Sequence, residues 1–324
     1  MVMRIATVSF NPAIDQTITV DHLTPGEVHR ARAVRQNAGG KGVNVASCLA
    51  DWGIAVTAFG LLGRDNAESF QALCAEKQIV DRFLRIPGAT RVNLKIVDDR
   101  DTTDINMDGA TVDAVAVERQ SAQIEDFAGS DSLIVLSGSL PPGCPPDLYA
   151  GLIARLRKKG ARVLLDTSGT PLMLALQGDT PPDIVKPNLR ELADWAGEPV
   201  ATADDAQRVA ARLLARGVDL VVVSMGADGA LFLSGTTALT ARLRAESVTS
   251  TVGAGDSMVA GLVAALSDGL ALPDIARLST AFAVGKLGLA GPNLPGRDAV
   301  RALMGKVTIA TAGRTEAGGA GETT

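Results

Sequence analysis

The chain has 324 residues, of which 46% are hydrophobic but only 3% aromatic, so its core must be built from Ala, Val, Leu and Ile. A net charge of −5 and the lack of a basic stripe argue against nucleic acid as a partner, and two histidines leave little room for a His-based metal site or a Ser-His-Asp triad. Cys48, Cys74 and Cys144 are far apart without a CxxC spacing and read as reduced, buried small hydrophobes of a cytoplasmic protein. This length suits one large domain with a small appendage.

The chain opens on a strand-like stretch, Met3 to Phe10, without a signal-peptide pattern, and no apolar run is long enough to cross a bilayer. Within it Arg4–Ser9 reads as a first buried strand. At its end Asn11-Pro-Ala-Ile-Asp15 offers a carboxylate that could accept hydrogen bonds from sugar hydroxyls, or merely close an Asx-turn. Thr17–Val34 reads as strands without an intervening helix. Gly39-Gly-Lys-Gly-Val-Asn44 then opens a helix over Gly42–Trp52 and offers a cation, Lys41, and an amide, Asn44, to a polar or phosphorylated ligand. It has neither the Walker A spacing nor GxGxxG.

A strand at Val56–Leu61 and a helix at Ala67–Lys77 follow. Arg91–Met107 again lacks a helix, and Val92, Leu94 and Ile96 alternate with Asn93, Lys95 and Val97. With Thr17–Val34 it is expected to form a small antiparallel sheet, about 16–34 and 90–108, projecting as a lid, a dimer surface or both. Arg91, if it points inward from that sheet, could grip a phosphate; a solvated strand Arg is the plainer reading. Strands are expected at Ser132–Ser137, Arg162–Asp166, Asp183–Lys186 and Leu220–Ser224, and helices at Pro146–Lys159, Asp204–Arg216 and Asp256–Ser267. Buried strands alternating with helices predict an α/β fold with a mostly parallel sheet, whose ligands bind beyond the carboxyl ends of the strands.

Three motifs fall at such ends. In Lys186-Pro-Asn-Leu-Arg-Glu191, Asn188 and Glu191 have the spacing of a capping box, and could also order Mg²⁺ and its waters. Ser224-Met-Gly-Ala-Asp-Gly229 is either a hairpin turn or a backbone cradle for nucleotide phosphates. The strongest signal is Ser250-Thr-Val-Gly-Ala-Gly-Asp-Ser257 before an apolar helix. Glycines there let successive N–H groups converge on an anion, and Asp256 in the first turn can take a proton from an attacking hydroxyl. The bland alternative is that Asp256 is an N-cap. The end of the chain, 313–324, is Gly, Ala, Thr and Glu, and is expected to be a disordered tail.

Together these motifs resemble the ribokinase-like sugar kinases of the PfkB group, from about Arg4 to Met304. Gly39–Asn44 is similar to that family's N-terminal signature and Thr251–Asp256 to its C-terminal one. The common form begins Asp-Thr; Ser250-Thr251 here is similar to the form in sugar-phosphate kinases of the family. Asn11–Asp15, Thr90–Asn93, Thr103–Asn106 and Ser137–Pro142 look most like the members that phosphorylate fructose 1-phosphate, with those acting on tagatose 6-phosphate or fructose 6-phosphate as neighbours.

The resemblance implies a ribokinase-like domain over 1–312 with a β lid that often builds a homodimer, and ATP, Mg²⁺ and a sugar phosphate as ligands; some relatives also use K⁺. It implies Asp256 as base, with the amides of Gly253, Ala254 and Gly255 as anion hole. Asp15, Gly39, Gly40, Lys41, Asn44, Asn93 and Ser139 would hold the sugar, and Arg91 with Lys41 its phosphate. Lys186, Asn188, Ser224, Gly226, Ala227, Gly229 and Gly255 would line the nucleotide, with Asn188 and Glu191 near Mg²⁺. Two other readings compete. One is a sensor of sugar phosphates, which would have no need of a base; the other is a dinucleotide oxidoreductase, whose glycine fingerprint is missing after the first strand.

Overall fold

The computed structural model describes residues 2–246, 252–289 and 291–311. Ser250, Thr251 and the expected tail lie outside them. The chain starts with β1 (Arg4–Ser9), β2 (Ala13–Thr19) and β3 (Ala33–Gly39). Then come α1 (Lys41–Asp51), β4 (Val56–Gly63), α2 (Glu68–Glu76), β5 (Val80–Ile86), β6 (Val92–Val97) and β7 (Thr102–Ile105). Strict alternation follows in α3 (Ala114–Phe127), β8 (Ser132–Ser137), α4 (Leu148–Lys158), β9 (Arg162–Asp166), α5 (Gly169–Gln177) and β10 (Ile184–Val185). The remainder is α6 (Leu189–Ala196), α7 (Ala203–Ala215), β11 (Leu220–Ser224), β12 (Ala230–Ser234), β13 (Thr237–Arg242), α8 (Ala254–Ser267), α9 (Leu272–Leu287), α10 (Arg297–Lys306) and β14 (Thr308–Thr311).

The main sheet has ten strands in the order β14-β13-β12-β11-β10-β9-β8-β1-β4-β5. The seven from β11 to β5 are parallel, and β12, β13 and β14 close one edge antiparallel. Period-two alternation sends successive side chains to opposite faces. Thus Leu133 and Val135 join one core with Leu164 and Val222, while Ile134 and Leu136 join the other with Val163 and Val221. The first core is covered by α1, α8 and α9, the second by helices that include α4 and α7. Trp52 meets the edge of Phe282 at 5.0 Å and locks α1 onto α9. Tyr149 is fully buried, and its hydroxyl donates to the Ser137 and Gly138 carbonyls, which fixes the turn leaving β8.

The second sheet has the order β3-β2-β6-β7. It corrects two expectations. It is mixed rather than antiparallel: β2–β3 and β6–β7 are hairpin-like pairs, but β2 and β6 run parallel. These two strands come from segments far apart in the chain, so no local turn dictates their direction. Thr17–Val34 is also mostly a connection. The strands that flank it end at Thr19 and begin at Ala33. Cys48 and Cys74 are buried as expected, but Cys144 is only partly so, and all three are free thiols. Among the described residues no helix is long and apolar enough to cross a membrane.

Candidate active site

The motifs converge where theory for parallel sheets puts a ligand, beyond the carboxyl ends of β1, β8, β9, β10 and β11. Two helices aim their N-termini there. The first is α8. Gly253 is its N-cap, with φ +82°, a left-handed value that a side chain would strain. The first intrahelical bond runs from Ser257 N–H to the Gly253 carbonyl. The N–H groups of Gly253, Ala254, Gly255 and Asp256 therefore precede that bond and have no acceptor within the helix.

Asp256 is the third helical residue, not the N-cap, so the bland reading of it fails. Its carboxylate is buried and accepts from Asn44 Nδ2 at 2.8 Å. Asn44 comes from the first turn of α1, the second converging helix, whose N-cap is Gly40. Burial pushes the Asp256 carboxyl above its ordinary pKa; Lys41 and the Asn44 bond oppose this.

Between the two helix ends lies a charge cluster. Asp166, the last residue of β9, has a wholly buried carboxylate, and its Oδ1 lies 3.2 Å from both Lys41 Nζ and Lys186 Nζ. Burial would raise the pKa of this carboxyl, but the Lys186 and Lys41 ammonium groups more than reverse it and hold it below the usual range. Burial likewise works against the Lys41 charge, and Asp166, Asp256 and Glu191 overcome it, raising the Lys41 pKa. A Cβ on Gly255 would lie 3.6 Å from Lys186 Nζ, so this ammonium stands beside the amide ring at the start of α8.

Asp166 was not among the residues picked out from sequence. An Asp ending an apolar strand is commonplace, and only the fold brings the two lysines to it.

On the sugar-side motifs, Asp15 in β2 accepts from Asn93 Nδ2 in β6 at 3.2 Å, and burial holds its carboxyl above the ordinary value. A Cβ on Gly39 would fall 2.3 Å from Asp15 Oδ2, so only glycine lets that carboxylate lie where it does. Asn11 donates to the Asp108 carbonyl and to Ser139 Oγ, tying the second sheet to the turn after β8. Arg91 donates to three carbonyls, those of Pro12, Met107 and Asn11. It is thus a brace between β1's exit and the second sheet, with part of its fork already engaged.

On the nucleotide-side motifs, Asn188, beyond β10, forms a β-bridge with Ser224, the last residue of β11. Asn188 and Glu191 form a reciprocal capping box: Asn188 N–H donates to Glu191 Oε2 at 2.9 Å, and Glu191 N–H to Asn188 Oδ1 at 2.8 Å. Gly226–Asp228, including Ala227, is a single 3₁₀ turn. A Cβ on Gly229 would meet the Ala241 carbonyl oxygen at 2.1 Å.

The profile of the pfkB family of carbohydrate kinases matches residues 8–298. The chain is 48% identical over 292 residues to a 1-phosphofructokinase of Xanthomonas campestris, covering 89% of this chain and 92% of that one. It is 46% identical over 314 residues to a 1-phosphofructokinase of Rhodobacter capsulatus, covering 96% and 99%. Among solved structures it resembles phosphofructokinase-2 of Escherichia coli in complex with potassium, with a TM-score of 0.88, 27% identity, and coverage of 94% of this chain and 98% of that one.

Proposed function

The chain belongs to the pfkB family of carbohydrate kinases, and on that footing we propose that it transfers the γ-phosphate of ATP to fructose 1-phosphate, giving fructose 1,6-bisphosphate and ADP. The observation that carries the chemistry is the pairing of a buried carboxylate, Asp256, with amides at the start of α8 that have no acceptor within the helix. The substrate is supported by the identity to 1-phosphofructokinases over nearly the whole length.

The C6 hydroxyl attacks the γ-phosphorus and Asp256 takes its proton. The P–O bond to ADP breaks as the bond to O6 forms. The amides of Gly253, Ala254 and Gly255 hold the transferring phosphoryl group, and the Lys186 ammonium adds full positive charge beside them. Asn44 orients Asp256. Asp15, Asn93, Ser139, Gly39 and Gly40 line the sugar. Lys41 serves the existing phosphate, together with whatever part of the Arg91 fork its three carbonyls leave over.

Asn188, Ser224, Gly226, Ala227 and Gly229 are assigned to the nucleotide. Mg²⁺ fits this side: Glu191 Oε1 lies outside the capping box, and Asp166 Oδ2 is a buried oxygen without a hydrogen-bond partner among the described residues. Asn188 and Glu191 would hold the ion through its waters; when bound it neutralises charge on the ATP phosphates. Whether K⁺ serves as well turns on the charge already standing behind the amide loop. The second sheet is the lid. Val34, Ile105 and Met107, exposed on or beside its strands, make it the surface on which two copies would pair as a homodimer.

The structural likeness to phosphofructokinase-2 keeps fructose 6-phosphate in the comparison. ADP release measured with Mg-ATP and fructose 1-phosphate, fructose 6-phosphate or tagatose 6-phosphate distinguishes them. Fructose 1-phosphate is expected to lead in kcat/KM by at least about 100-fold, the margin a site built around one phosphate position gives. A lead by either 6-phosphate would keep the chemistry and overturn the substrate.

A further inference from the structure

Lys286 lies in the last turn of α9 and is only 2% exposed. A lysine is seldom buried this far unless something holds its charge. Its Nζ donates to the Leu289 carbonyl at 2.8 Å, just past the C-terminal end of α9, where the helix dipole favours a cation. Because α8 and α9 are consecutive helices packed on one another, the end of α9 lies at the start of α8.

The contact is direct. A Cβ built on Gly253 would sit 3.4 Å from Lys286 Cε and 4.0 Å from Asn44 Nδ2. Lys286 and the amide that orients the base thus flank the same residue of the anion loop. Burial pushes the Lys286 ammonium below its ordinary pKa, while Cys48 and Asp256 draw it back up. Nothing in the phosphoryl-transfer chemistry described above uses this charge.

We propose that Lys286 is a tethered cation behind the Gly253–Gly255 loop, which strengthens the positive potential at the transferring phosphoryl group and makes this kinase independent of a free monovalent cation. Backbone amides offer partial charges. A full charge in a water-poor setting a few ångströms behind them acts on the same developing anion with little screening. A K⁺ ion and an ammonium of equal charge would repel each other there, so the chain's own lysine takes the place. This deepens the kinase reading and depends on it.

The test compares wild-type turnover in K⁺, Na⁺ and tetramethylammonium buffers, then kcat and KM of Lys286→Ala and Lys286→Met. Wild type is expected to vary by less than about twofold among the three cations. Lys286→Ala is expected to lose about 100-fold in kcat while KM for the sugar phosphate stays within about threefold, and ammonium or K⁺ should restore at least about tenfold. Lys286→Met fills the space and should resist rescue.

A wild type that needs K⁺ overturns the proposal without any variant, even if Lys286→Ala fails to fold. So does undiminished kcat in a folded Lys286→Ala, or a loss that no cation restores. Wild type inert toward every sugar phosphate would instead sink the kinase reading itself.

Discussion

Replacing Asp256 by Asn is expected to lower kcat by about 10²–10⁴-fold, the range for removing a positioned general base, while the KM values for ATP and sugar phosphate change little. The substitution keeps the shape of the side chain and the acceptor oxygen for Asn44 Nδ2, so the loop and α1 stay in register. It removes only the ability to take a proton.

The same substitution is expected to leave the melting temperature unchanged or higher. Burial raises the pKa of the Asp256 carboxyl, which means that its charged form costs stability at neutral pH; a neutral amide is spared that cost. Loss of turnover with retained or increased stability is the mark of a residue kept for chemistry. The pH profile has a definite sign. Because the base must be ionised and its pKa is raised, activity should fall as pH drops toward a value above the usual carboxylate range, and this acidic limb should vanish in Asp256→Asn. Full turnover in the variant would remove Asp256 from the mechanism.

The second large effect is expected at Asp166, and it is of the opposite kind. Its carboxylate is wholly buried, with two ammonium groups at 3.2 Å. Asp166→Asn leaves both facing a neutral amide. Lys41 is about one-third exposed and can turn to solvent, but Lys186 is 6% exposed and cannot. Breaking a buried pair from one side costs about 3–5 kcal/mol, and the solvent access of Lys41 favours the lower end. A fall in melting temperature of about 4–7 °C follows for a chain of this size.

The pH sign is also fixed. The folded pKa of Asp166 lies below its unfolded value, so its contribution is fully present above the unfolded value and is lost as pH falls through the lowered one. KM for both substrates should rise with the loss of lysine aim. Unchanged thermal stability, measured by calorimetry, would mean that the cluster does not hold the site together.

Much of the fold could be read because the signal was local. Apolar runs such as Ser132–Ser137, Arg162–Asp166 and Leu220–Ser224 coincide with β8, β9 and β11 to the residue. The glycines before Asp256 announced a helix start for the same reason, since one short stretch carries both the turn and the helix.

What could not be read depended on partners remote in sequence. The direction of β2 against β6 is set by a connection that runs through β3, α1, β4, α2 and β5. Asp166 acquired meaning only when Lys41, 125 positions away, was folded onto it. Lys286 was not singled out from the sequence, because its neighbour Gly253 belongs to another helix altogether. Arg91 was considered for the phosphate from its residue type and the family resemblance, but its hydrogen bonds to three backbone carbonyls could not be read from the sequence.

The most direct measurement is ³¹P NMR of the purified protein with fructose 1-phosphate and Mg-ATP. The account predicts that the γ-phosphate signal of ATP is replaced by ADP and by a second phosphomonoester on the same sugar, coupled to the C6 protons. ATP and fructose 1-phosphate remaining unchanged, in a sample that demonstrably binds both, would contradict it and point to a sensor.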